Sequence, residues 1–271
     1  MEKRPKVGLA LGSGGGRGLA HIGVLQVLEE NHIPIDMISG CSIGSLVAVI
    51  YAAGTNLSLL ERYVYTMIPK DIIDPTITGR GGVLSGEKLE SIVRVLSHDL
   101  DIGQTRIPCY ITAADLASGR QKVFTEGKLY KAARASMAIP GIFTPVNVDG
   151  CWYVDGGTLE EMPVTVLRDN GADMVIAVDL TIRKNPVDAK LTAHGSLLRA
   201  FEIMQMEMTR LRNQDIDVRI QPDVSFMGMV STAGAEQAVA EGRRAAEQAL
   251  PLIREKLTAY QADALPEADE A

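Results

Sequence analysis

Three short segments carry the residue types and spacings from which a reactive site can be built. The first is Leu11-Gly12-Ser13-Gly14-Gly15-Gly16-Arg17-Gly18. Glycines free to adopt positive φ let successive backbone N–H groups point into one concavity. A helix predicted to follow adds the positive end of its dipole. Such a loop suits an anion or a developing oxyanion. A GxGxxG dinucleotide fingerprint is not met, because Gly12-x-Gly14-x-x leads to Arg17. A looser GxGxxxG fits Gly12, Gly14 and Gly18, and the Gly-Lys-Ser/Thr of a phosphate loop is missing. An oxyanion site, a nucleotide site and tight backbone packing all stay open for this stretch.

The second segment is Gly40-x-Ser42-x-Gly44, placed after a predicted strand and before a predicted helix. That is the context a nucleophile elbow requires, with small residues at both ends of a sharp turn. The plainer reading makes Ser42 an N-cap. The third is Asp155-Gly156-Gly157, at the end of Trp152-Tyr153-Val154. Alone it reads as a turn. A serine nucleophile, however, needs a base. His21, His32, His98 and His194 are the histidines, and none sits in a strand-end turn of the kind a triad histidine occupies. His21, on one helix face with Arg17, is the best placed of them. Asp155 is the other candidate. Its unperturbed pKa of about 4 matches a hydroxyl poorly. Burial beside Trp152 or Phe143 would raise it.

These segments need elements to hold them. Lys6–Leu11 reads as a buried strand, followed by the glycine loop and a helix over Arg17–Glu30. Ile35–Ile38 reads as a second strand, leading to a helix over Ser45–Ala53. Strand, loop, helix, strand, turn, helix is the start of an α/β fold with a parallel sheet. Further along, the pattern predicts helices over 57–67 and 85–97, with a long loop over 69–84 between them. Strands follow over 108–114 and 120–124, then a helix over 129–138. A hairpin around Asp149-Gly150, a helix over 163–170 and a buried strand over 174–179 come next. A Met-rich helix over 196–211, a short strand over 218–221 and a helix over 235–257 containing Pro251 complete the chain. In the Met-rich helix, Met204, Met206 and Met208 flank Phe201 and Ile203. They read either as adaptable core filler or as a flexible wall over an apolar ligand.

Composition narrows the classes. The 271 residues are 46% apolar and 23% charged, which excludes disorder as the main state. Ten of the 26 glycines fall in the first 54 residues, where an even spread would place about five. The excess is local and coincides with the first two segments. Of the net charge of −7, −4 lies in Gln261–Ala271, which has no Lys or Arg. No basic stripe supports nucleic-acid binding. Cys41, Cys109 and Cys151 have no metal-ligand spacing, so buried, reduced thiols are expected. The apolar run after the N-terminus is too short for a signal-peptide core, and a cytoplasmic protein is expected.

In this order and context the three segments resemble the bacterial patatin-like phospholipases. Leu19-Ala20-His21-Ile22-Gly23-Val24-Leu25, the run Ala135–Val146 and Met162-Pro163-Val164 after the Asp-Gly-Gly motif extend the resemblance over residues 7–180. It implies a three-layer α/β/α sandwich with a mainly parallel central sheet. It also implies a lipid acyl hydrolase without metal or cofactor. Ser42 is then the nucleophile, in an elbow shaped by Gly40 and Gly44, and Asp155 the base, followed by Gly156 and Gly157. Gly14, Gly15 and Gly16 supply the oxyanion hole, with Arg17 beside it. Residues 181–260 are expected to pack on the same domain as a helical and strand extension, with 261–271 a disordered acidic tail.

The expected substrates are phospholipids, lysophospholipids or related esters, met through weak peripheral membrane contact at most. The oligomeric state is not legible. Glu160 and Glu161 stand where the family often has asparagines. Two carboxylates there would raise the pKa of Asp155 and repel anionic head groups. They motivate an alternative: a catalytically weak lipid-binding or regulatory protein on the same fold.

Overall fold

Strand segments such as Val7–Leu11 and Met174–Val178 are buried at every position. Strands of that kind need cover on both faces. The structure, a computed structural model, provides it, and describes residues 4–76, 81–181, 192–212, 215–228 and 233–263. The strands are β1 (Val7–Leu11), β2 (Met37–Cys41), β3 (Gly82–Leu84), β4 (Cys109–Asp115), β5 (Gln121–Phe124), β6 (Gly141–Phe143), β7 (Val146–Val148), β8 (Cys151–Asp155), β9 (Met174–Val178) and β10 (Val218–Ile220). The helices are α1 (Ala20–Glu30), α2 (Ile43–Ala52), α3 (Leu57–Thr66), α4 (Pro69–Ile72), α5 (Glu87–Leu96), α6 (Leu129–Ser136), α7 (Thr165–Asp169), α8 (Ala193–Leu211) and α9 (Ala235–Asp263).

The main sheet runs β10-β9-β1-β2-β4-β8-β7, with β5 also on β4. From β10 to β4 every pair is parallel, and β5, β7 and β8 are antiparallel additions. Alternation along the strands makes two cores. Val7, Leu9 and Leu11 face a large cluster with residues of α1, α2, α3 and α9. Ala10, Val175 and Ala177 face a smaller one with Val166 and Leu167 of α7. The result is the three-layer α/β/α sandwich. β10 joins this sheet, and α9 lies along α1, where Arg243 pairs with Glu30 at 2.7 Å.

Several expectations change. β2 begins at Met37 rather than Ile35 and runs on through Gly40 and Cys41, because parallel pairing with β1 carries it there. The loop predicted over 69–84 contains α4 and β3, and β3 pairs with β6. The glycine loop enters α1 through a 3-10 turn over Gly15–Leu19. Cys151 is exposed, unlike Cys41 and Cys109. The Met-rich helix is not core: Met204 is 62% exposed, Met206 and Met208 are half-buried, and Gln205 is the buried residue among those of α8 whose side chains are described. Of the predicted tail, Gln261–Asp263 continue α9, and residues 264–271 lie outside the described part.

Candidate active site

All three segments named from the sequence meet at the carboxyl ends of the central parallel strands, where ligands of open α/β sheets bind. Register explains how. Leu11 of β1 pairs with Gly40 of β2, so the glycine loop and the Ser42 turn leave the sheet side by side. Cys41 pairs with Thr112 of β4, and Asp155 of β8 pairs with the next residue, Ala113. β4 thus aligns the ends of β2 and β8, and brings Asp155 beside Ser42.

Ser42 has φ 53 and ψ −125, and its side chain makes no capping hydrogen bond. A non-glycine residue in such a conformation costs on the order of 1–3 kcal/mol. Its surroundings hold it there. Ser42 N donates to Ser136 Oγ at 2.9 Å, and Ser42 O accepts from Ser45 N at 2.9 Å. The flanking glycines are needed for close approach. A Cβ on Gly44 would lie 2.2 Å from Leu11 O, and one on Gly40 would lie 2.5 Å from Ser45 Cα.

Asp155 is 1% exposed. Its Oδ1 accepts from Gly157 N at 2.7 Å and lies 3.9 Å from the Cys41 thiol, and no donor among the described residues meets Oδ2 in full hydrogen-bond geometry. Burial pushes its pKa up to about 6, against the opposing pull of Ser42, Gly157 and Cys41. The two glutamates do not cause the shift. Trp152, 53% exposed, does not bury the carboxylate either. Gly156 backs onto Thr112, where a Cβ would lie 2.4 Å from the carbonyl oxygen.

Gly15 takes the left-handed φ of 59. The first N–H groups of the 3-10 turn have no acceptor within it, and among the described residues no turn or loop bond engages those of Gly14, Gly15 or Gly16. The loop itself is anchored. Gly12 N donates to Val178 O at 3.1 Å and Ser13 N to Glu161 O at 3.0 Å. His21 is fully buried, with Nε2 donating to Gly12 O at 2.8 Å; burial pushes its pKa down to about 4 despite that bond. Through that bond it holds the loop. Arg17 pairs with Glu202 of α8 at 2.8 Å and donates to Leu180 O, and it lines one cavity with Gly14 and Gly15.

Glu160 and Glu161 part company. Glu160 turns to α7, where it accepts from Thr165 N at 3.2 Å and Thr165 Oγ1 at 2.8 Å, and from Gln121 at 2.9 Å. Glu161 turns to the site. Its Oε2 accepts from Thr181 and Thr209, both at 3.2 Å. Burial, then the nearby Asp179, push its pKa up to about 7, while the two threonines and Arg17 pull the other way.

Two cavities meet at Ser42. One is apolar, about 130 Å³, and lined by Leu46, Leu60, Val64, Ile92, Met137 and Phe143 among others. The other is the more polar of the two, about 20 Å³, and lies between Ser13, Asp155, Glu161, Glu202 and Gln205, with Phe201 and Met206 on its apolar wall. Gly15, Ser42 and Ile139 line both. Sequence reading missed Ser136, Glu202 and Gln205. Ser136 lay inside a quoted segment without a role, and the two α8 residues carry no local signal.

Comparison with known proteins gives concordant results. The family profile of the patatin-like phospholipases matches residues 9–168. An uncharacterized NTE family protein of Mycobacterium tuberculosis is 41% identical over 179 residues, which span 65% of this chain and 49% of that protein. Lysophospholipase NTE1 of Cryptococcus neoformans is 34% identical over 184 residues, which span 65% of this chain and 11% of that protein. The matched region is therefore about half of the bacterial relative and a small part of the fungal one. VipD from Legionella pneumophila superposes with a TM-score of 0.63 at 14% identity, covering 93% of this chain and 67% of that one. At that identity the likeness is one of fold. With more than half of its length matched by the family profile, the chain belongs to the patatin-like phospholipase family.

Proposed function

We propose that this chain hydrolyses carboxylic esters of single-chain lipids through an acyl-enzyme at Ser42. The carrying observation is the position of Ser42: on a left-handed elbow, beside a buried carboxylate, at the junction of an apolar and a polar cavity. The apolar cavity takes the acyl chain. Asp155, with its pKa near 6, accepts the Ser42 proton as Oγ attacks the ester carbonyl. Such a pKa lies closer to the operating range of a general base than that of an ordinary aspartate. The N–H groups of Gly14, Gly15 and Gly16 receive the developing oxyanion, where pre-oriented donors contribute most. Collapse of the intermediate expels the alcohol, which takes the proton from Asp155. Water then releases the fatty acid.

The single-chain substrate follows the fungal relative, whose name is lysophospholipase. Weak peripheral contact with a lipid surface fits this reading; among the described residues no helix is long and apolar enough to cross a membrane. A fluorophosphonate probe tests the nucleophile. It should label the wild type and leave Ser42→Ala unlabelled, and fatty acid release from a lysophospholipid should vanish in the same variant. Equal labelling of both proteins would remove Ser42 from the mechanism.

A further inference from the structure

The polar cavity holds groups that the acylation half of the reaction does not use. At about 20 Å³ it has room for a water or two rather than a lipid head group. Arg17 Nε and Arg199 Nε are buried without a hydrogen-bond partner among the described residues, and both residues line the cavity. Glu161 lines it too. Its Oε2 takes both threonine hydroxyls, whereas no hydrogen bond or salt bridge among the described residues engages Oε1. A buried carboxylate with no paired cation is costly to keep. Groups of this kind are enriched where chemistry uses them.

The backbone and the side chain of Glu161 have separate duties. Its carbonyl oxygen holds the glycine loop through Ser13 N. Its carboxylate is fixed from α8 by Thr209 and from the segment after β9 by Thr181, so it is aimed without being consumed.

We propose that Glu161 is a positioning residue for deacylation, accepting one hydrogen of the attacking water at Oε1 while Asp155 takes the proton that the water gives up. The step balances. The water oxygen bonds to the acyl carbon, and its proton passes to Asp155. The bond from the acyl carbon to Ser42 Oγ then breaks, and Asp155 returns the proton to Oγ. Glu161 ends the cycle as it began. This inference rests on Ser42 and Asp155 acting as proposed above. It differs in concerning only the second half of the reaction.

The test separates the two halves. Rapid-mixing kinetics with a p-nitrophenyl ester are compared in the wild type, Glu161→Leu and Glu161→Gln, with methanol as a competing nucleophile. In Glu161→Leu, deacylation slows at least tenfold relative to acylation, so a burst approaching one equivalent of p-nitrophenol appears. The ratio of methyl ester to free acid rises at least tenfold, because methanol does not depend on a second acceptor. Glu161→Gln, which keeps an acceptor oxygen, recovers most of the deacylation rate. Thr209→Val loosens the carboxylate without removing it, and shifts the product ratio in the same direction. That variant keeps the question answerable if the leucine variant does not fold.

A product ratio that stays constant in both Glu161→Leu and Thr209→Val overturns the proposal. So does an equal fall in acylation and deacylation, the signature of a merely structural residue. Failure of the wild type to acylate at Ser42, read independently by fluorophosphonate labelling, overturns the nucleophile assignment and this inference with it.

Discussion

The two cavities that meet at Ser42 are built by opposite means. The apolar one lies among α2, α3 and α5, where Leu46, Leu60, Val64, Leu89, Ile92 and Leu96 follow helical spacing. The polar one is assembled from the glycine loop, the ends of β2 and β8, the turn after β8, and one face of α8. The first is shaped by local periodicity and the second by long-range register. Their sizes differ accordingly: about 130 Å³ suits an apolar chain, and about 20 Å³ suits water. On the proposed reading, an ester carbonyl placed between them would leave the acyl chain bound while water arrives from the other side.

The sharpest way to break this contrast is to neutralise the polar side. Asp155→Asn should lower turnover of a p-nitrophenyl ester about 10³-fold, within the range for removing a general base. An unchanged rate would show that the polar side holds no base. In the wild type, turnover should rise with pH through a midpoint near 6, as Asp155 loses its proton.

The same substitution should act on stability with the opposite sign. The folded-state pKa of Asp155 is raised, so its contribution to stability is fully present below the unfolded value near 3.8 and is lost as pH rises through about 6. Above that, ionised Asp155 opposes folding by up to about 3 kcal/mol. Asp155→Asn should therefore raise the thermal midpoint relative to wild type at pH 8, and much less at pH 4. Calorimetry at the two pH values checks this.

Next in size is the apolar side. Val64→Trp fills part of that cavity. It should cut kcat/KM for a long-chain ester about tenfold relative to a short-chain one, the scale of about one methylene refused by a pocket. A proportional loss on both chain lengths would mean that the acyl chain lies elsewhere. The smallest effect belongs to the outer face of α8. Leu197 is 59% exposed, and Leu197→Ser should change unfolding free energy by less than about 0.5 kcal/mol in denaturant titration. A larger loss would show that α8 is held by apolar packing rather than by Arg17–Glu202 and Glu161–Thr209.

Legibility in the sequence follows the same division. The order of strands and helices around the first two segments was readable, because buried parallel strands and glycine-marked turns announce themselves in composition. The start of β2 was not. Ile35 looks like strand, yet pairing with β1 and β4 moves the element to Met37–Cys41. Glu160 and Glu161 were readable as unusual but not as different. Adjacent in sequence, they point to separate partners, Thr165 on α7 and Thr181 with Thr209 beside the site. The Met-rich helix invited a core reading from its apolar content. No local pattern says that Glu202 reaches Arg17, since that pair joins residues 185 positions apart.

By itself, the sequence determined the local backbone devices: a glycine-rich loop, and an elbow whose glycines let α2 touch the end of β1. Each depends on which side chains are absent within a few residues, and so is written locally. The tertiary structure alone decided the chemistry of the groups they serve. β4 had to align β2 with β8 before Ser42 could meet Asp155, and the surrounding layers had to exclude water before Asp155 could titrate near 6. Register and burial are sums over the whole chain, and no single segment carries them.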